Sequence, residues 1–319
     1  MNHYSSKSIR IIKISILLTF ISIWGSISAP PNFAFQENAG DPAASYNDQI
    51  QEWRVKNEEK LRAPFGWLAL TGHYWLKEGD NSLGSEGHCD VRIPSDLAYK
   101  VVGSIQVRGG NVILKCPRES QILINEKHTP AALLKIDSVA EEADGEDIIT
   151  IGERIKLQLV RRAGRLAMRV RDTESSIRRE FKGKRWYETQ PAFRVEATFS
   201  PYEPVKKIRI VNIQGDTVDT AIAGSLKFKL SDREFQLDAI AESQDSLFVV
   251  FKDKTSGVTT YGPGRFLTLD APVDGKCILD FNKAYNPPCA FSPHTLCPLP
   301  PKQNHLELSI DAGEQYETR

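Results

Sequence analysis

The 319-residue sequence predicts an all-β protein, two sandwich- or barrel-like domains set behind an export signal and one short helix. Three observations carry this prediction. The N-terminus is basic and then apolar, a single helical period runs over residues 46–61, and short apolar runs separated by turn dipeptides fill most of the rest. Short strands at such spacing argue for sandwiches or barrels rather than for a helical bundle.

The export signal comes first. Lys7, Arg10 and Lys13 precede an apolar stretch at 14–27, and Ser26, Ser28 and Ala29 supply small residues for cleavage. This matches a signal peptide over residues 1–29 and places the mature chain in the periplasm or outside the cell. An uncleaved N-terminal anchor is the alternative, since residues 11–27 fall just short of a comfortable span. No second apolar run of spanning length follows.

Residues 30–62 hold a Pro-, Ala- and Gly-rich spacer and then the helix, with Trp53 and Leu61 as its expected buried positions. The first β domain covers 63–170, with runs at 101–107, 112–114, 122–124, 148–151, 155–160 and 166–170. Gly109-Gly110, Asn125-Glu126 and Ala163-Gly164 are its turn signals. Residues 171–187, strongly basic, read as a connector with a solvated face. The second β domain covers 188–311. Its runs lie at 193–199, 207–211, 225–230, 233–237, 247–251, 265–269 and 277–281, with a closing strand expected at 306–310.

With 41 basic and 41 acidic side chains, the chain has no long-range field to steer nucleic acid or an anionic membrane toward it. The cations at 178–185 beside Trp186 and Tyr187 suit a solvated face better than a polyanion site. Phosphate-cradling loops, dinucleotide fingerprints and GxSxG elbows are absent, and no cofactor is implied. His73 has no second ligand at metal spacing. In His88-Cys89-Asp90 only the outer two share a strand face, so no metal site is expected.

The chemistry-bearing residue types concentrate at 280–301, DFNKAYNPPCAFSPHTLCPLPP. Asp280 and Asn282 share one side of a strand end. Pro287 and Pro288 stiffen the chain just before Cys289. A hydrolase would use Cys289 as nucleophile, His294 as base and Asp280 to orient the base. Against this stands a Cys289–Cys297 disulfide closing a proline loop in an oxidising compartment, or an unpaired buried thiol. Arg265, delivered by the tight GPGRF turn, offers a fork for a carboxylate or phosphate, or a salt bridge to Asp253, Asp270 or Asp280. With Asp280 it forms a second hydrolase option. Tyr261 and Tyr285 either line the same pocket or pack as core aromatics. The expected ligand-binding set is thus Arg265, Asp280, Asn282, Tyr285 and Tyr261. Trp67, His73, Tyr74 and Trp75 are either a stacking platform for sugars or the core of a small domain.

The blocks GWLALTGHYWLKEGDNSLGS, FKGKRWY, TSGVTTYGPGRFL and DFNKAYNPPCAFSPHTLCPLPP resemble the domain of unknown function 1684 family across nearly the whole mature chain. That resemblance implies no mechanism, because the family brings no catalytic residues to carry over. Residues 65–165 also resemble a forkhead-associated β-sandwich through Leu83-Gly84-Ser85, residues 90–94, residues 122–125 and Ile151-Gly152. Ser85 stands where those modules place a phosphate-binding Arg, and residues 95–103 lack their Ser-x-x-His. The likeness therefore implies a fold without its site. Together these readings point to an exported binding or structural protein recognising a small or carbohydrate-like ligand at a cleft near the proline loop.

Overall fold

A computed structural model describes residues 42–97, 100–136 and 143–317. The helical period forms α1 (Pro42–Arg62). Ile50 and Leu61 are buried on it, while Trp53, expected inside, is only half-buried. Arg54 is buried instead, donating from Nη2 to Tyr187 O (3.0 Å) with its guanidinium 5.1 Å from the Trp186 ring. The helical period alone does not reveal that a cation with carbonyl and aromatic partners can occupy a buried helix position.

The strands that follow are β1 (Leu70–Trp75), β2 (Gly79–Gly84), β3 (Val91–Arg92), β4 (Val101–Arg108), β5 (Asn111–Lys115), β6 (Ile122–Ile124), β7 (Ala131–Leu134), β8 (Ala143–Asp144), β9 (Ile149–Ile151), β10 (Ile155–Arg162) and β11 (Arg165–Asp172). They form two sheets, ordered β1-β11-β10-β9-β6 with β8 on β10, and β3-β2-β4-β5-β7. Leu83, Ile105 and Leu114 from one sheet share a core with Ile122, Leu157, Met168 and Val170 from the other. Each sheet thereby buries one face, as period-2 alternation requires. The predicted turns have the backbone that tight hairpins need. Gly109-Gly110, Asn125-Glu126 and Ala163-Gly164 have positive φ at both central residues, as do Ser231-Asp232 and Asp274-Gly275.

Residues 171–187 are not a solvated linker. Arg171 lies within β11 and is 4% exposed. Ser175 Oγ caps the short helix α2 (Ser176–Glu180) through Arg178 N (3.2 Å), and it also donates to Leu68 O (2.7 Å). Phe181 packs on Leu61 and Leu68. Basic residues in this stretch have internal partners: Arg178 donates to Arg62 O and Thr173 O, Lys184 pairs with Glu314, and Arg185 with Glu317.

The second half forms β12 (Arg194–Val211), β13 (Thr217–Leu230), β14 (Arg233–Ala241), β15 (Ser246–Phe251), β16 (Arg265–Asp270) and β17 (Lys276–Asp280). Their order is β16-β15-β14-β13-β12-β17, a nearly closed antiparallel barrel around Leu226, Leu237, Val249, Leu267 and Phe281. Two sequence runs merge into β12, whose pairing with β13 is irregular between Pro201 and Lys206. The expected closing strand at 306–310 does not form. Leu306 N donates to Lys252 O (2.7 Å) and Leu308 O accepts from Lys254 N (3.0 Å), but Asp253 Oδ2 then accepts from Ile310 N (2.7 Å) and Arg265 takes the carbonyls of Ile310 and Ala312, so the pairing stops short of a strand.

Candidate functional site

The polar residues of 280–301 mostly hold the chain together. Asp280 caps the turn at Phe281–Lys283, accepting from Asn282 N (3.1 Å), and it also accepts from Tyr46 OH on α1 (2.8 Å). Burial and this carboxylate push the Tyr46 phenol well above its ordinary range. Asn282, fully buried, accepts from Gln190 N (2.9 Å) and donates to Gln190 O (2.9 Å). The pair fastens α1 and the chain at Gln190 to the end of β17, and the expected ligand-binding role of Asp280 and Asn282 has no open face to act through.

Arg265 is likewise enclosed. It is 0% exposed, and its Nη2 lies 3.3 Å from Asp253 Oδ1, the salt bridge that the sequence left as the alternative to a ligand clamp. Tyr261 donates to Cys289 O (3.1 Å) and packs edge-on against Tyr316 at 4.8 Å.

The hydrolase constellations do not assemble. All five cysteines are thiols, and Cys289 N donates to Cys297 Sγ (3.2 Å). The Cys297 thiol holds Cys289 below the usual thiol range. His294 turns elsewhere, lining a 240 Å³ recess with His73, Gln214 and Asp216, and no hydrogen bond joins it to Cys289 or Asp280. Cys289 packs instead with Val250, Phe266 and Cys297. The Asp280–Arg265 option fails because both are consumed by separate internal partners.

Tyr285 is the one expected site residue facing a large cavity. This cleft of about 750 Å³ has three walls. Trp53 and Asn57 come from α1, with Phe65 and Trp67 just beyond it. Gln158, Arg169 and Arg171 project from the outer face of β10 and β11. Tyr285, Asn286, Pro288 and Phe291 come from the proline loop. The loop is seated by Ser292 Oγ donating to Leu70 O at 2.8 Å. A smaller, more apolar chamber of about 320 Å³ adjoins it, sharing Trp67, Arg169 and Pro288.

Strand periodicity explains the second wall. Leu166, Met168 and Val170 enter the sandwich core, so Arg169 and Arg171 take the other face, and the proline loop and Trp67 then cover them. Both guanidiniums lie over Trp67, at 5.2 and 6.0 Å from the ring. Burial pushes Arg171 down to about 10, so it stays charged at neutral pH. Lys184, also on the cleft, is neutralised by Glu314 at 2.8 Å, both side chains being buried.

Sequence reading missed Arg169, Arg171 and Asn286, and it left Trp67 undecided between core and platform. The available signal was two arginines at i and i+2 opposite a run of apolar residues, a pattern that usually marks a solvated face.

Residues 179–315 match the family described as Protein of unknown function (DUF1684). Over its C-terminal part the chain belongs to the DUF1684 family. A solved relative, the uncharacterized protein from gene locus rrnAC0354 of Haloarcula marismortui, is 36% identical over 44% of this chain and 79% of its own, with a TM-score of 0.38. No curated protein matches. The DUF1684 match stops short of the sandwich, and nothing in these comparisons supports the forkhead-associated likeness. Within the DUF1684 part lie Lys184, Tyr285, Asn286 and Pro288; Trp53, Trp67, Arg169 and Arg171 lie outside it.

Proposed function

We propose that this chain is an exported protein that binds a small, ring-bearing ligand in the 750 Å³ cleft between α1, β11 and the proline loop. The observation that carries the reading is the meeting of three aromatic side chains, Trp53, Trp67 and Tyr285, with buried Arg169 and Arg171 on one cavity of ligand size. Aromatic faces supply stacking area at little conformational cost, and buried polar groups fix orientation. The basic-then-apolar N-terminus supports export, and it lies outside the described residues. Among the described residues no helix is long and apolar enough to cross a membrane. In an oxidising compartment Cys289 and Cys297, both thiols here, would be the pair to join, supported by the hydrogen bond from Cys289 N to Cys297 Sγ.

A ligand-observed NMR screen of sugars, amino acids and aromatic acids tests the binding reading. Binders should be lost in Trp67→Ala with the fold intact. A screen that yields none, or binders indifferent to Trp67, counts against it. N-terminal sequencing of fractionated protein checks export, with a new terminus near residue 30 expected. Peptide mapping without reduction checks whether Cys289 and Cys297 are joined.

A further inference from the structure

Resting on that reading, the geometry points to the ligand's class: a monoanionic, hydroxyl-bearing carboxylated ring, of which a uronic acid is the simplest. Its carboxylate would lie on the Arg171 fork and one hydroxyl on Asn286 Oδ1.

Arg171 is a buried cation with no anion in contact among the described residues. It is 4% exposed, its one hydrogen bond goes from Nη1 to the neutral Gln158 Oε1 (2.9 Å), and its Nε has no partner. No carboxylate lies within 4.0 Å of it among the described residues; Asp144 acts on it only from further away, and Arg162 opposes that effect. Arg265 has Asp253 and Lys184 has Glu314, and Arg54, which has no carboxylate in contact, gives its guanidinium to Tyr187 O and the Trp186 ring away from this cavity. Keeping an unpaired charge out of water is expensive, and a planar guanidinium with free donors is shaped for a carboxylate.

Asn286 supplies the second requirement. It is 3% exposed on the same cavity; its amide nitrogen is committed to Gln315 O (3.0 Å), while Oδ1 has no partner. A buried acceptor left open calls for a donor, which a hydroxyl provides and a bare anion does not. The flat walls of Trp67 and Tyr285 accept the apolar face of a ring. Charge then decides between carboxylate and phosphate. Asp144 on the lining is already held by Arg162 (2.6 Å) and Arg169 (3.5 Å), and the exposed Glu242 and Lys60 offset one another, so the charge left for a ligand to meet is that of Arg171. A single negative charge matches Arg171.

The test titrates the full chain with D-galacturonate, D-galactose and galactose 6-phosphate, following the fluorescence of the tryptophans on the cleft. Galacturonate should saturate at least tenfold more tightly than either of the others. Arg171→Gln should weaken galacturonate roughly 10- to 100-fold, as loss of charged hydrogen bonds implies, and leave galactose unchanged. Arg171→Lys, which keeps the charge and loses the fork, should fall between and serves if the glutamine variant fails to fold. Galactose binding as tightly as galacturonate, a preference for the phosphate, or an indifferent Arg171→Gln each overturns the assignment while the cleft remains a binding site. No saturable response to any of the three overturns the sugar class, and with an empty NMR screen the binding reading falls with it.

Discussion

Replacing Arg265 by Leu separates a structural arginine from a ligand clamp. The guanidinium is 0% exposed, faces Asp253, and holds the carbonyls of Ile310 and Ala312. Removing one partner of a buried ion pair costs about 3–5 kcal/mol, because the other charge stays buried. Asp253 keeps Thr255 Oγ1 (2.9 Å) and Ile310 N (2.7 Å), which holds this contribution toward the low end. The two abandoned carbonyls add roughly 1 kcal/mol each. The sum is about 5 kcal/mol, comparable to the whole stability of many domains. It corresponds to a melting temperature lower by roughly 10–20 °C. Urea titration followed by tryptophan fluorescence measures it. A loss below about 1 kcal/mol, or intact stability with abolished ligand binding, would refute the reasoning and restore Arg265 as a site residue.

The Lys184–Glu314 pair should behave in the same way on a smaller scale. Lys184→Met is expected to cost about 3 kcal/mol, and Lys184→Met with Glu314→Gln to recover most of it, since the stranded carboxylate is then removed; a double-mutant cycle in urea shows this. Burial and the repulsion of Arg169 and Arg162 push His73 from 6.5 down to about 4. Between those values the unfolded chain binds the extra proton, so stability is full above about 6.5 and falls as the pH drops toward 4. His73→Asn should flatten that part of the pH–stability profile; an unchanged slope excludes His73 as its source. Burial pushes Cys116 and Cys277 up to about 11, whereas Cys297 draws Cys289 down. Iodoacetamide on reduced, folded protein at neutral pH should therefore modify Cys289 first, as peptide mass mapping would reveal; equal reaction at Cys277 contradicts it.

The mostly β architecture was legible because alternation and turn chemistry are local. Dipeptides such as Asp274-Gly275 carry the positive φ of a hairpin in their residue types. The 306–310 segment was misread because its apolar pattern says nothing of Arg265 and Asp253, which take the carbonyl and N–H of Ile310 from more than 40 positions away and end the pairing that Leu306 and Leu308 begin. The site failed for a related reason. Arg265 and Asp280 were chosen for charge beside tight turns, yet a turn that delivers a side chain does not say whether it meets solvent or another side chain. Arg171 looked like the first residue of a solvated linker. Its covering comes from Trp67, about a hundred residues before, and Asn286, about a hundred after, and no local pattern records that closure. From the expected ligand-binding set Tyr285 reached the cleft, held by the backbone pairing of Tyr285 with Phe266 on β16.

The three-walled cleft also straddles the edge of the DUF1684 match. Its proline-loop wall falls inside the DUF1684 match, while the arginine and tryptophan walls come from segments outside it. A protein inheriting only the barrel would keep Tyr285 and Asn286 on an open slope with no cation opposite. The barrel's share of the cleft is thus a single wall, and the cavity closes only where Trp67, Arg169 and Arg171 are laid over it by the segment that precedes the barrel.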